Sequence, residues 1–476
     1  MTSLALQTKC TPGLNPTDDS ARLYARFVAS ATSDAVPAEV RTRARHHLLD
    51  AIGIAFVSGK FDFSHRALTA ALMLADSGGT APVIGLPTRL PMRDAALING
   101  ILCHGLDFDD THTKGVIHPT ASIFPTILAA GVKVGASVEE AILCYVLGVE
   151  VATRIASVAQ GGFHQVGFHP TGLAGVFGCA LAAGRLFGLS ETELVHAQGI
   201  ALSFASGSME FLEEGAWTKR LHPGWAAQAG LAAAAHAKHG FTGPRYPYCG
   251  RFGLYNAYLG REIDGCDIRL ASEGLGTDWE LLKTAIKPFP VCHLAHGAID
   301  AALILRGAHS PNIEEIDRAE VLVPREIVNI VCEPVAAKRR PKSDYDARFS
   351  IQFLVAAALV RGRITLGELE PEALNDPRIL SLADRVDYSI DPNSPFPRSY
   401  SGEVVLRTRD GGELRHREQV NRGAADRPLS AADIVQKYYD NVALAIGRRK
   451  AMTIEETVLR IGPEETLATF AEPLVG

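Results

Sequence analysis

No C-x-x-C pair occurs among the eight cysteines, Cys10, Cys103, Cys144, Cys179, Cys249, Cys266, Cys292 and Cys332. Their scatter argues against a zinc knuckle, an iron–sulfur site or a disulfide framework, and fits a reducing cytoplasm. Long basic runs are also missing: the densest, Lys338-Arg339-Arg340, reads as a solvated loop. With a net charge of −6 and a pI near 6.3, the chain has no basic stripe to displace counterions, which excludes a general nucleic-acid binder. No 18-residue apolar stretch is free of charge, so no membrane span is expected. Met1 to Ser20 shows no apolar segment behind a basic start and is read as a short disordered lead-in rather than a secretory signal.

What is present is a chain of 476 residues, 47% hydrophobic and 21% charged with mixed sign. That suits two or three folded domains and excludes a disordered chain. From Ala21 to Gly260 the apolar positions recur at three and four residues, with frequent Ala and Gly. Ser137-Val138-Glu139-Glu140 and Ser190-Glu191-Thr192-Glu193 read as capping boxes opening helices. Thr171 to Leu186 carries Ala174, Gly178 and Ala182 on one face and Gly175, Cys179 and Ala183 on the next, which marks a closely packed core helix. After Asp278 the texture changes. Glu320-Val321-Leu322-Val323 reads as a strand, and Glu403 to Arg409 and Glu413 to Gln419 flank the turn Asp410-Gly411-Gly412 as a hairpin. Asp346 to Val360 reads as one helix between them. Helix restarts after Pro428, with Ser430 and Asp433 as its cap. The expected fold is mainly α: a helical domain from 1–277 and 422–476, with an α+β lid at 278–421.

Four polar clusters interrupt this apolar sequence. They are His104-Gly105-Leu106-Asp107-Phe108-Asp109-Asp110-Thr111-His112 with His118-Pro119-Thr120; Gly167-Phe168-His169-Pro170-Thr171; Trp217-Thr218-Lys219-Arg220-Leu221-His222-Pro223-Gly224; and Lys287-Pro288-Phe289-Pro290-Val291-Cys292-His293-Leu294-Ala295-His296. If the first is helical, Asp107, Asp110 and Thr111 share a face and Asp109 points elsewhere. Each cluster has an ordinary reading: a helix end, a His-Pro turn, a surface Lys-Arg, core histidines. Their joint occurrence in Gly/Pro-punctuated loops at helix ends is what points to chemistry. Asp107-x-Asp109-x-Thr111 matches a phosphatase nucleophile motif only formally, because Asp94 to Leu102 reads as helix where that motif needs a strand. Asp109-Asp110 does not complete a D-D-x-x-D magnesium motif, because Thr113 holds the last position. A metal site from His112, His118 and an Asp lacks the i, i+4 histidine spacing, and no metal or other cofactor is expected.

In this order the four clusters resemble the MmgE/PrpD family, which includes 2-methylcitrate dehydratase, cis-aconitate decarboxylase and iminodisuccinate epimerase. The resemblance extends from Leu49-Asp50-Ala51-Ile52-Gly53 to Arg348-Phe349-Ser350-Ile351-Gln352-Phe353. It implies a helical domain formed by both chain ends, an inserted lid and a homodimer. By similarity, active-site positions would be Asp107, Thr111, His118, His169 and Lys219, joined by a lid histidine for which His293 is favoured over His296. The decarboxylase branch places a tyrosine after Val323, where this chain has Ile327-Val328-Asn329-Ile330. Independently of the family, Lys219 and the histidines supply donors for a small di- or tricarboxylic acid. His118 and His169 suit proton transfer. Asp107 would orient or tune a histidine, Thr111, His296 and Arg220 would contact substrate, and Lys219 would stabilise developing charge. The expected function is a lyase, a dehydratase or a decarboxylase. An epimerase using the same residue types is the alternative, and a silent scaffold subunit is a third class.

Overall fold

A computed structural model describes residue 15 and residues 18–75, 78–396 and 398–476. Most of the N-terminal lead-in, and Cys10, lie outside the described residues. Helix accounts for 59% and strand for 9%, which makes the protein mainly α. The elements that position the site are helices α1 (Ala38–Ser58), α2 (Met92–His104), α3 (Thr120–Val134), α4 (Val138–Val158), α5 (Pro170–Leu186), α6 (Thr218–Lys238), α7 (His296–His309), α8 (Ile351–Arg361) and α9 (Ala431–Val442). Two short strands, β1 (Thr111–His112) and β2 (Thr284–Ala285), pair antiparallel. Strands β3 (Ile316–Val323), β4 (Val386–Ile390), β5 (Gly402–Thr408) and β6 (Glu413–Glu418) form a sheet in the order β4-β3-β5-β6. Within it β3 and β4 run parallel and the other neighbours antiparallel.

Two apolar cores result. One gathers side chains from Ala21 to Leu281 and again from Tyr438 to Leu474, so both chain ends build it. The other gathers side chains from Phe289 to Leu406 and takes in Met209 and Phe211 from the first part of the chain. Small residues decide how closely the helices of the first core approach. A Cβ on Gly178 of α5 would stand 2.5 Å from the Gly148 carbonyl of α4, and one on Gly230 of α6 would stand 2.3 Å from Cys179 Cβ of α5. The two small faces read from the sequence of α5 thus meet different helices. Helix α4 is long and apolar enough to cross a membrane. It lies inside the helical core, however, and its Arg154 pairs with Glu150 at 2.7 Å within that interior.

Local expectations were met unevenly. Ser190 and Glu193, and Ser430 and Asp433, form complete capping boxes. Ser137 caps α4 through the Glu140 N–H at 3.1 Å, but the Glu140 carboxylate turns to Arg185 instead, so that box is half made. The single helix expected over 346–360 is broken. A short turn, Asp344–Ala347, precedes α8, and between them the buried Arg348 guanidinium reaches the Leu106 and Pro290 carbonyls. Continuing the helix would carry Arg348 away from both. Lys338-Arg339-Arg340 is not a solvated loop: Val335–Arg339 is a helical turn, Lys338 is buried against the Ile330 carbonyl at 3.0 Å, and Arg339 bonds Asp387.

Candidate active site

The first polar cluster leaves the C-terminal end of α2 as a non-helical loop. Asp107 sits at φ 51, in the left-handed region, where few residues other than Gly, Asn and Asp are accommodated. Consequently Asp107, Asp110 and Thr111 do not share a helical face, and each has its own surroundings. Four successive carbonyls of the loop each accept from a different buried cation. Arg220 Nε donates to Gly105 O at 2.7 Å, Arg348 to Leu106 O, Lys287 Nζ to Asp107 O at 2.8 Å and Lys437 Nζ to Phe108 O at 2.8 Å. Cations at the C-terminal end of a helix also meet its negative dipole end favourably.

Asp107 is not a histidine's partner. Its Oδ1 accepts from Lys219 Nζ at 2.7 Å and Lys287 Nζ at 3.2 Å, while Oδ2 is buried without a hydrogen bond. Burial acts to raise its pKa, but the two ammoniums outweigh it and hold the carboxyl well below the usual range. The carboxylate that serves the histidines is Asp109, which had been read as pointing elsewhere. Its Oδ2 lies 2.8 Å from His104 Nδ1 and 4.0 Å from His118 Nδ1. Burial opposes its charge, yet these imidazoles bring its pKa down to about 2. Asp110 is a structural group: it accepts from His47 Nδ1 at 2.8 Å and from the Thr120 hydroxyl at 2.5 Å at the start of α3. Burial, reinforced by Asp109 nearby, pushes its pKa up to about 7 although the Thr120 hydrogen bonds pull the other way.

The geometry fixes the state of His118. Its Nδ1 lies 2.7 Å from the Asp110 carbonyl and 3.2 Å from Thr111 Oγ1. A carbonyl can only accept, so Nδ1 carries the proton and Nε2 holds a lone pair. Burial, with Lys287, His104 and Lys219 adding to it against Asp109, keeps the ring's pKa well below its ordinary value. His169, at the N-terminus of α5, lies in the same group of rings, 5.7 Å from His118 and 5.6 Å from His104 between centroids. Both its nitrogens are engaged, Nδ1 with His222 Nδ1 at 3.0 Å and Nε2 with Thr171 Oγ1 at 3.1 Å. A ring nitrogen from each of His104, His118 and His169 lies within 4.8 Å of the other two. The metal trio considered from sequence does not assemble, because His112 is taken by Glu280 at 2.8 Å and by the Gly115 N–H at 3.1 Å.

These groups face a cavity enclosing about 440 Å³, only about 30 Å³ of which is open to the centre of a water molecule. Asp107, Thr111, His118, His169, Lys219 and His293 line it. Its other wall is apolar and includes Met209, Phe211, Leu294, Ile330 and Phe349. The Lys219 ammonium stands 4.9 Å from the centre of the Phe349 ring. His293 lines the cavity with Nδ1 free of protein partners, its Nε2 being 2.5 Å from Asn421 Nδ2; burial first, then Lys287, lowers its pKa to about 3. His296 does not line it and points Nε2 at the Val291 carbonyl at 3.2 Å. Arg220 does not line it either. Its guanidinium lies 4.2 Å from the Phe63 ring centre and 4.0 Å from that of Tyr345, which makes it a buried strut rather than a substrate contact.

Sequence reasoning gave no role to His104, Asp109, Lys287, His222 or Tyr400. Lys287 and His222 stood inside the quoted clusters, but their partners are distant in sequence. Tyr400 had no local signal. It lines the cavity, donates to the Thr113 carbonyl at 3.2 Å and packs on His293 at 5.2 Å. The position after Val323 that lacks a tyrosine places Ile330 on the cavity, so the phenol there comes from another segment.

Comparison with known proteins agrees in both halves of the chain. The MmgE/PrpD N-terminal domain matches residues 22–264 and the MmgE/PrpD C-terminal domain residues 289–461. The chain is 26% identical to cis-aconitate decarboxylase of Mus musculus over 447 residues, covering 91% of this chain and 89% of that protein. It is 28% identical to cis-aconitate decarboxylase of Homo sapiens over 417 residues, 84% and 83% of the two chains. It is 25% identical to 2-methylcitrate dehydratase of Cupriavidus necator over 401 residues, 78% and 79% of the two.

Proposed function

The chain belongs to the MmgE/PrpD family, and from that membership we propose that its cavity decarboxylates an unsaturated tricarboxylic acid of the cis-aconitate type. The protein is an enzyme, a lyase acting on a small carboxylic acid. The observation that carries the finer reading is the split wall: Lys219 beside Asp107 and the imidazoles on one side, apolar side chains on the other.

In this reading Lys219 and Thr111 hold the carboxylates that stay. The carboxylate that leaves is set against Met209, Phe211 and Ile330, where its charge is poorly solvated. Breaking its C–C bond releases neutral CO₂ and passes the electron pair into the conjugated acid. Lys219 stabilises the negative charge that accumulates there. His118 returns a proton to carbon. Its resting Nε2 is unprotonated, so the proton arrives with substrate: incoming carboxylates raise the pKa of nearby imidazoles. Substrate binding is then coupled to proton uptake. His169, held by His222 and Thr171, fits a proton reservoir behind His118.

A second reading is epimerisation, favoured by one observation: His118 and His293, from separate parts of the chain, both line the cavity. Dehydration of a 2-methylcitrate-type acid would use His118 as base in its resting state. Proton NMR in D₂O on cis-aconitate, 2-methylcitrate, citrate and iminodisuccinate separates the three. Carbon dioxide release with one deuterium entering the product supports decarboxylation. New vinyl signals without CO₂ release mean dehydration, and deuterium uptake with an unchanged skeleton means epimerisation. Either of the latter refutes the favoured reading.

A cytoplasmic homodimer belongs to the same proposal. Trp217, Leu221 and Trp225 are 43%, 43% and 40% exposed at four-residue spacing along α6, an apolar stripe suited to a second copy. Light scattering showing a monomer at micromolar concentration would remove that part.

A further inference from the structure

His104, His118 and His169 are arranged as ligands of a single ion, and we propose that they bind one divalent transition-metal ion of the zinc type, which switches the site off. Three imidazoles near one another are common in active sites. What distinguishes this trio is how the rings are pinned. Metal-binding histidines typically anchor one ring nitrogen on a carboxylate or carbonyl and present the other. His104 anchors Nδ1 on Asp109 at 2.8 Å, and its Nε2 is buried without a hydrogen bond. His118 anchors Nδ1 on the Asp110 carbonyl at 2.7 Å, which leaves its Nε2 lone pair free. His169 is held at Nδ1 by His222 and at Nε2 by Thr171, and gives up one of these bonds as it turns to the ion.

Spacing agrees with this assignment. A Zn–N distance of about 2.0–2.1 Å with tetrahedral angles places imidazole ring centres about 5 Å apart. The observed separations are 4.8, 5.6 and 5.7 Å, so small inward movements close the site. Charge does not forbid it. Lys219 and Lys287 are both spent on Asp107, and the Asp109 carboxylate, bonded directly to the first ligand, offsets the positive charge that remains. The cysteines give no competing cluster: no group of three or more among the described residues that could hold an ion includes a thiol. The ligand chemistry, two or three neutral imidazoles backed by carboxylate and carbonyl, is that of zinc, cobalt or nickel rather than of magnesium or calcium.

The ion would occupy the His118 lone pair that must accept a proton in the proposed reaction. Binding of metal rests on geometry alone; the loss of turnover rests on the function proposed above. Calorimetric titration of EDTA-stripped full-length protein with zinc tests the first. One ion per chain is expected, with X-ray absorption of the zinc-loaded protein showing imidazole nitrogens and no sulfur. His104→Ala should weaken binding at least about tenfold, whereas His164→Ala, which changes a cavity ring outside the trio, should leave it unaltered. If His104→Ala fails to fold, the absorption spectrum of the wild-type chain decides alone. No saturable binding, a sulfur-containing shell, or equal affinity in a folded His104→Ala overturns the site. Turnover of whichever acid the protein accepts should fall with zinc occupancy and return with EDTA. Full turnover at full occupancy overturns the switch and leaves the function reading intact, while metal binding in a chain that turns over no acid leaves the site standing and refutes the function.

Discussion

Replacing Asp107 by Asn removes one negative charge and little else. Asn tolerates the left-handed backbone at this position, and its amide oxygen can still accept from an ammonium. What changes is that Lys219 and Lys287, 5% and 0% exposed, lose their shared counter-charge. Removing one partner of a buried ion pair costs about 3–5 kcal/mol, so Asp107→Asn should lower the urea midpoint clearly while leaving the helical spectrum intact. Asp107→Ala should cost about 1–2 kcal/mol more, the left-handed penalty for a residue with a plain Cβ. Two further measurements isolate the cause. A non-reactive tricarboxylate should stabilise Asp107→Asn more than it stabilises the wild type, because the ligand restores the missing negative charge. And the gap between wild type and variant should narrow as pH falls below about 4, the ordinary carboxyl value. The sign follows from the depressed native pKa of Asp107: its contribution is present above the unfolded pKa and is lost as acid protonates it. An Asn variant with the wild-type midpoint at pH 7, unaffected by tricarboxylate, would refute the claim that Asp107 holds the two lysines in place.

Other substitutions probe separate parts of the same region. His118→Gln should lower kcat by about 10²–10⁴-fold, the usual loss of a general acid–base group, with a smaller change in KM; steady-state kinetics on the accepted acid decides. Arg220→Met should cost stability, about 1–3 kcal/mol for the carbonyl left unpaired at Gly105, and reduce turnover only in proportion to folded protein; a selective rise in KM would return Arg220 to substrate binding. Asp110→Asn should gain on the wild type as pH rises from 5 to 8. The native pKa near 7 lies above the ordinary carboxyl value, so the wild type's contribution is full in acid and is lost as pH rises through it. Denaturation midpoints that stay parallel across that range would contradict this. Finally, substrate binding should take up protons, read as heats of binding that differ between buffers of different ionisation enthalpy; identical heats would remove the neutral resting state assigned to His118.

How much of this could be read from the chain depended on the range of the interactions. The small faces of α5, the caps at Ser190 and Ser430 and the hairpin of β5 and β6 are local patterns, and they emerged as expected. Lys219 stood out because a lysine in an apolar helix start is unusual. Asp107 and Asp109 were exchanged in role because the helical assumption was extended two residues too far, and a single left-handed φ redirects everything after it. Arg220 looked like a substrate contact because its aromatic neighbours Phe63 and Tyr345 are more than a hundred residues away on either side. Lys287 and Tyr400 meet the loop from further still, and no sequence spacing encodes a contact of that length.

The four cations that grip carbonyls 105–108 belong to α6, to the segment leading into α7, to the segment before α8 and to α9. The loop therefore cannot take its working shape on a partly folded chain: the last support, Lys437, is synthesised when all but the final 39 residues are complete. Assembly of the site thus reports on completion of the whole molecule. A misfolded or truncated product would carry every catalytic side chain of the first half and still be inert, so that incomplete chains do not consume substrate.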